Sequence, residues 1–216
     1  YLSSGTWSLI GVETNAPILT AEACEANFTN EGGIGGTIRF LKNVTGLWLI
    51  QECRRMWAEN GQALSFAEIA DAAEASDFAG VFLPNDDRFT APANMIAEIQ
   101  AYFTERGEMV PESVGDVARA CYLSLAAAYA EQLVVLRKLT GKSINRLHVV
   151  GGGSQAALLN QMTANACGIP VIAGPVEATA LGNVGIQAMA NGLIADLDAL
   201  RAAVANSVEL VTYEPA

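Results

Sequence analysis

An α/β domain with a mixed sheet and flanking helices is the fold class this sequence predicts, on three observations. The first third carries short β-branched and aromatic runs between turn residues, the pattern of antiparallel strands. The last third alternates short apolar runs with helical patterns, and strand–helix–strand–helix implies a right-handed parallel crossover. Of the 216 residues, 51% are hydrophobic and 16% charged, enough apolar mass for a sizeable core.

The elements follow in order. The chain opens YLSSGTWSLIG. Ser3 to Gly5 read as a tight turn and Trp7 to Val12 as a strand. A small-residue turn on a strand edge also leaves backbone N–H groups free to meet a phosphate, and the pattern admits both readings. Phe28-Thr29 and Ile38 to Leu41 flank NEGGIGG, a glycine-rich hairpin turn. A helix is predicted from Asn43, its N-cap, with Val44, Leu47, Trp48, Cys53 and Met56 at roughly helical spacing and Gly61 as its stop. Ser65 and Glu68 fit a capping box for the next helix. FLPNDDRFTAP is a loop. A long helix runs from Ser113 to Thr140, with Gly141 after it and Val117, Cys121, Leu125, Ala128 and Leu133 on its apolar side. NRLHVV is then a strand, GGGSQ a turn, AALLNQMTANAC a helix closed by Gly168, IPVIAG a strand and EATALGNVGIQAMANG a helix. With no internal repeat and no low-complexity linker, one domain is expected.

The formal net charge of −11 argues against a broad nucleic-acid or anionic-membrane surface. It leaves room for a bound nucleotide, whose charge Mg²⁺ and local amides can meet. Cys24, Cys53, Cys121 and Cys167 form no CxxC pair, and the lone His148 supplies no partner for zinc. They read as buried free thiols of a reducing, cytoplasmic location. The alanine-rich stretch from Leu125 to Tyr129 is too short for a membrane span. The first residue is not Met, which points to a processed chain or a fragment.

VVGGGSQ, Val149 to Gln155, is the most informative stretch. A buried strand ends, three glycines turn the chain and a helix starts, at the carboxyl end of a strand where α/β sheets bind ligands. Glycines let a ring or a phosphate approach the backbone. The stretch is neither GxGxxG nor GxxxxGK[ST], and a tight βα turn without a ligand fits it equally. Asn43 and Gln51 fall on related faces of one predicted helix, and either amide could bond a polyol or a nucleotide. A helix cap and a solvated polar residue are the competing readings. Trp7, Trp48 and Trp57 could stack on a base or sugar, although their apolar neighbours favour core packing for each. His148, inside an apolar strand with no nucleophile motif beside it, reads as a core or edge histidine. Asn85 to Asp87 lack metal-loop spacing and read as a turn.

Taken together, YLSSGTWSLIG, TNEGGIGGTIRFLKNVTGLWLIQE, FLPNDDRFTAPANM and LHVVGGGSQAALLNQMTANACGIPVIAGPVEATALGNVGIQAMA resemble the FGGY family of carbohydrate kinases, which act on glycerol, xylulose and rhamnulose. The last stretch marks the family, and the first two with the DDRF loop point to its rhamnulose branch. The resemblance implies a ribonuclease-H-like, actin-like ATPase fold. Residues 1–216 would be its C-terminal nucleotide-binding domain, with ATP in the cleft against an N-terminal domain outside this chain. It implies that Gly5 and Thr6 face the ATP phosphates, Gln51 contacts the nucleotide, Gly151, Gly152 and Gly153 form the adenosine turn, and Asn43 contacts the sugar. The aspartate base would lie upstream of Tyr1, so no catalytic residue and no metal ligand is expected here. The Asp86-Asp87 loop is assigned to structure.

The resulting expectation is ATP- and Mg²⁺-dependent phosphorylation of L-rhamnulose at its 1-hydroxyl by a parent protein, this chain alone being inactive. The rival expectations are a non-catalytic nucleotide-binding module and a kinase of another ketose.

Overall fold

The computed structural model describes residues 1–216. Seven strands form one mixed sheet: β1 (Leu2–Ser4), β2 (Trp7–Thr14), β3 (Thr29–Gly32), β4 (Ile38–Thr45), β5 (Leu147–Val150), β6 (Val171–Ala173) and β7 (Val211–Tyr213). Their spatial order is β3-β4-β2-β1-β5-β6-β7. The first four pair antiparallel, β1, β5 and β6 run parallel, and β7 returns antiparallel on β6. Antiparallel hairpins followed by βα crossovers are what the two ends of the sequence predict.

Eight helices flank the sheet: α1 (Ala21–Glu25), α2 (Trp48–Glu59), α3 (Phe66–Ala75), α4 (Met95–Glu105), α5 (Val114–Thr140), α6 (Ala157–Cys167), α7 (Ala178–Ala190) and α8 (Leu197–Ser207). Strand alternation puts Leu2, Ile10, Phe40, Val44, Leu147 and Val149 into the core. There they meet the apolar side of α5, including the predicted Val117, Cys121, Leu125, Ala128 and Leu133. Ser113 and Asp116 close a capping box at the start of α5, and Gly141, at φ +66°, ends it. Ser65 and Glu68 form the predicted box on α3, and Gly168 closes α6. None of these helices is long and apolar enough to cross a membrane.

Three local expectations are corrected. Ser3 and Ser4 belong to β1, so the opening turn is Gly5-Thr6. Asn43 is no helix cap: β4 runs on to Thr45 because β2 offers it eight consecutive partners. The helix begins at Trp48 with no side-chain cap, because the Leu47 and Trp48 N–H groups donate instead to the Gly5 and Thr6 carbonyls, at 2.8 and 3.0 Å. All four thiols are free, but only Cys53 and Cys121 are buried; Cys24 is exposed and Cys167 partly so. Helix α8, capped by Asp196, and strand β7 extend the fold beyond the predicted elements.

Candidate functional site

The parallel strands β1, β5 and β6 end at one edge of the sheet and lead into Gly5-Thr6, Gly151–Gly153 and Gly174-Pro175. Backbone bonds lace the last two together: the Gly151 N–H donates to the Pro175 carbonyl at 3.2 Å, and the Gly174 N–H to the Val149 carbonyl at 2.8 Å. The carboxyl edge of an α/β sheet is where ligands settle.

The three glycines at this edge differ. A Cβ on Gly151, whose φ is +86°, would stand 2.8 Å from the Ser4 carbonyl, and one on Gly153 would stand 1.9 Å from Ser4 Oγ. These two let the turn press against β1. A Cβ on Gly152 would meet nothing within 4 Å, and the residue is exposed. Only Gly152 therefore offers bare backbone to a ligand.

Beside it, the β1–β2 turn is held by the Gly5 N–H donating to the Trp7 carbonyl at 3.0 Å. Thr6 is exposed, and its hydroxyl donates to Gln51 Oε1 at 3.1 Å. Forty-five residues separate these two in sequence. Gly46 brings them together: a Cβ there would lie 2.6 Å from the Gly5 carbonyl, so only a glycine lets α2 dock on the turn. Beneath it, the Ser8 and Tyr129 hydroxyls share a buried hydrogen bond of 2.7 Å. Burial pushes the Tyr129 phenol up to about 12, so it stays a neutral hydrogen-bonding group at physiological pH.

Asn43 lies on β4 opposite Leu9, exposed, and Gln51 lies on α2, so the two amides do not share a helix as predicted. Thr6, Gln51 and Gly152 do gather at one edge. Across adjacent strands the order is Asn43 on β4, Trp7 on β2, the Gly5-Thr6 turn, Ser4 on β1 and the glycine turn after β5.

The tryptophans divide. Trp57 is buried, and Trp48 is half-buried with its Nε1–H donating to the Phe89 carbonyl at 3.1 Å. Trp7 is 54% exposed, which corrects its core reading: it opens β2 opposite Thr45, on the face turned away from α5. His148 is on the outer face of β5, where burial first, then the neighbouring positive charges of the Tyr1 amino group and Arg146, lower its pKa. It lines an apolar cavity of about 800 Å³ under α7 and α8. Asn85 and Asp86 serve the backbone, accepting from the Thr45 and Arg88 N–H groups at 2.8 and 3.0 Å.

Sequence reasoning missed Gly46, Ser8 and Tyr129. The Thr45-Gly46 step between strand and helix was a readable signal for Gly46. Tyr129 carried none, since Ser8 is 121 residues away.

Residues 1–191 match the C-terminal domain of the FGGY family of carbohydrate kinases. The chain is 50% identical over its full length to a rhamnulokinase of Bacteroides thetaiotaomicron and 47% identical to one of Pectobacterium carotovorum, covering 44% and 43% of those proteins. It thus spans less than half the length of the curated relatives it matches. Among solved structures it superposes over its whole length on xylulose kinases of Lactobacillus acidophilus and Rhodospirillum rubrum, with TM-scores of 0.70 and 0.68. It covers 42% of each, at 15% and 17% identity, so these likenesses establish the fold, that of the actin-like sugar kinases. With a family match over 191 of its 216 residues and relatives near half identity along all of it, the chain belongs to the FGGY family of carbohydrate kinases.

Proposed function

We propose that this chain is the ATP-binding part of a ketose kinase whose acceptor is L-rhamnulose. One observation carries the reading: the order Asn43, Gly5-Thr6 turn, glycine turn across adjacent strands. That order supports the reading, since an acceptor at Asn43, a phosphate chain at the turn and a nucleoside at the glycines would lie side by side, as in-line phosphoryl transfer requires. Gly152 offers bare backbone for the adenosine, Thr6 and the Gly5 region hold phosphate with Gln51 behind them, and Asn43 orients the sugar. The buried Ser8–Tyr129 bond ties the start of β2 to α5 beneath this turn.

Mg²⁺, bound with ATP, would neutralise charge developing on the phosphates. Within this chain no group of three or more His, Cys, Asp or Glu side chains could hold the ion. The general base and much of the sugar pocket would come from the rest of the parent protein, and closure of its two halves would exclude water. L-Rhamnulose is favoured because the 50% and 47% identical relatives are rhamnulokinases. The free thiols suit a reducing cytoplasm.

The test is ADP release by the full-length protein. L-Rhamnulose should stimulate it and emerge phosphorylated at its 1-hydroxyl, while residues 1–216 alone should bind ATP without sugar-dependent turnover. Equal turnover of every ketose, or of none, would remove the assignment.

A further inference from the structure

We infer that Trp7 is a specificity-determining residue of the sugar site, its indole forming an apolar wall beside Asn43 for the C–H face of the ketose. The inference rests on the ketose-kinase reading above. Trp48 and Trp57 are used by the fold; Trp7 is left 54% exposed. It stands at the point where β2 leaves the phosphate turn, immediately after Thr6. The β2–β4 register pairs Trp7 with Thr45 and Leu9 with Asn43. Side chains two apart share a face, so the indole and the Asn43 amide lie on the same outer face as diagonal neighbours, within reach of one small molecule. Leu9, beside them, is half-buried and extends the apolar floor.

An exposed tryptophan next to a strand amide and a phosphate turn is the composition of a small-ligand site: one broad apolar surface and a few placed polar groups. The chemistry it selects is a sugar with an uninterrupted C–H face. Because the 1-hydroxyl accepts the phosphoryl group, the C–H face beside Trp7 is the one near the phosphate end of the ketose; a hydroxyl turned onto the indole there would be desolvated against it. Asn43 would then read hydroxyl positions farther along the sugar, and Trp7 the C–H face next to the transferred phosphate.

Trp7→Ala and Trp7→Phe in the full-length kinase test this, with L-rhamnulose and its C3 epimer 6-deoxy-L-psicose as probes. Trp7→Ala should raise the L-rhamnulose KM on the order of tenfold, hold the ATP KM within about twofold, and narrow the preference for L-rhamnulose over its epimer. Trp7→Phe, which keeps an aromatic wall, should recover most of both. Unchanged sugar KM, an equal rise in ATP KM, or equal losses on both ketoses would overturn the inference. So would a lowered unfolding midpoint with intact sugar kinetics, which would make Trp7 a packing contact with another part of the parent. A wild-type protein without ketose-dependent turnover would sink the kinase reading as well; an active wild type with an indifferent Trp7→Ala would sink this inference alone.

Discussion

At Gly35 and Gly36, in the turn between β3 and β4, a Cβ would meet nothing within 4 Å, and the backbone sits at φ +65° and +81°. At Gly153 the φ is ordinary, and a Cβ would stand 1.9 Å from Ser4 Oγ. Both turns are glycine clusters in the sequence, yet glycine answers a different need in each. The hairpin needs a backbone conformation that side chains oppose, which is a local matter. The edge turn needs space above all, because β1 passes against it, and that is a tertiary matter; Gly151, at φ +86°, adds a conformational need of its own. Gly152 belongs to neither case, having an open surface and no positive φ. It is therefore the glycine in the edge turn whose identity a ligand would explain.

The largest effect should come from Gly153→Ala. The overlap with Ser4 is with Oγ, Cβ and the carbonyl together, at 1.9, 2.5 and 3.2 Å, so no single rotamer change relieves it. Overpacking of this kind costs about 1–3 kcal/mol, and at this chain length each kcal/mol lowers the unfolding midpoint by about 2–4 °C. Thermal unfolding of the single variant and of Gly153→Ala with Ser4→Gly would measure it. The double variant should recover part of the loss, since the two sites touch. Additive losses would mean that the turn does not lean on Ser4.

Gly152→Val separates space from recognition. With nothing within 4 Å of the new side chain, stability should stay within about 0.5 kcal/mol. A branched side chain on the open backbone should nevertheless weaken ATP binding about tenfold, or about 1.4 kcal/mol. Calorimetry on the folded variant reads this directly. Unaltered affinity would reduce the turn to a connector and remove the adenosine assignment.

The same contrast between local and distant causes decides how much was legible. The capping boxes, the C-terminal glycines of α5 and α6 and the βα alternation are local, and the sequence showed them. At Asn43 the cause of the extended conformation is distant. Its own neighbours repeat at helical spacing, but eight pairs with β2 keep the segment extended, and carbonyls 42 residues upstream cap the helix that follows. The apolar flanks of Trp7 suggest a core residue; its exposure follows from which face of the sheet α5 covers. The meeting of Thr6 with Gln51 has no local signal, since their 3.1 Å contact depends on Gly46 admitting α2 to the turn. Helix α8 carries a plain N-cap signal in Asp196, whereas β7, three residues long, carries no pattern of its own.

Gly36→Ala should have the smallest effect and leaves the edge turn untouched. Its cost is conformational: at φ +81° an L side chain is strained, by about 1 kcal/mol. Asparagine tolerates that region better, so Gly36→Asn should lose less than Gly36→Ala, an ordering that a steric clash would not produce. Neither should disturb ligand binding, because β4 starts near this turn at Ile38 and reaches Thr45 only seven residues later, about 24 Å along the strand. Paired unfolding and ATP-binding measurements on the two variants test both halves of that expectation. If Gly36→Ala weakened ATP binding as much as Gly152→Val, the two glycine turns would be coupled through the sheet, and the division between a conformational turn and a ligand-facing one would fail.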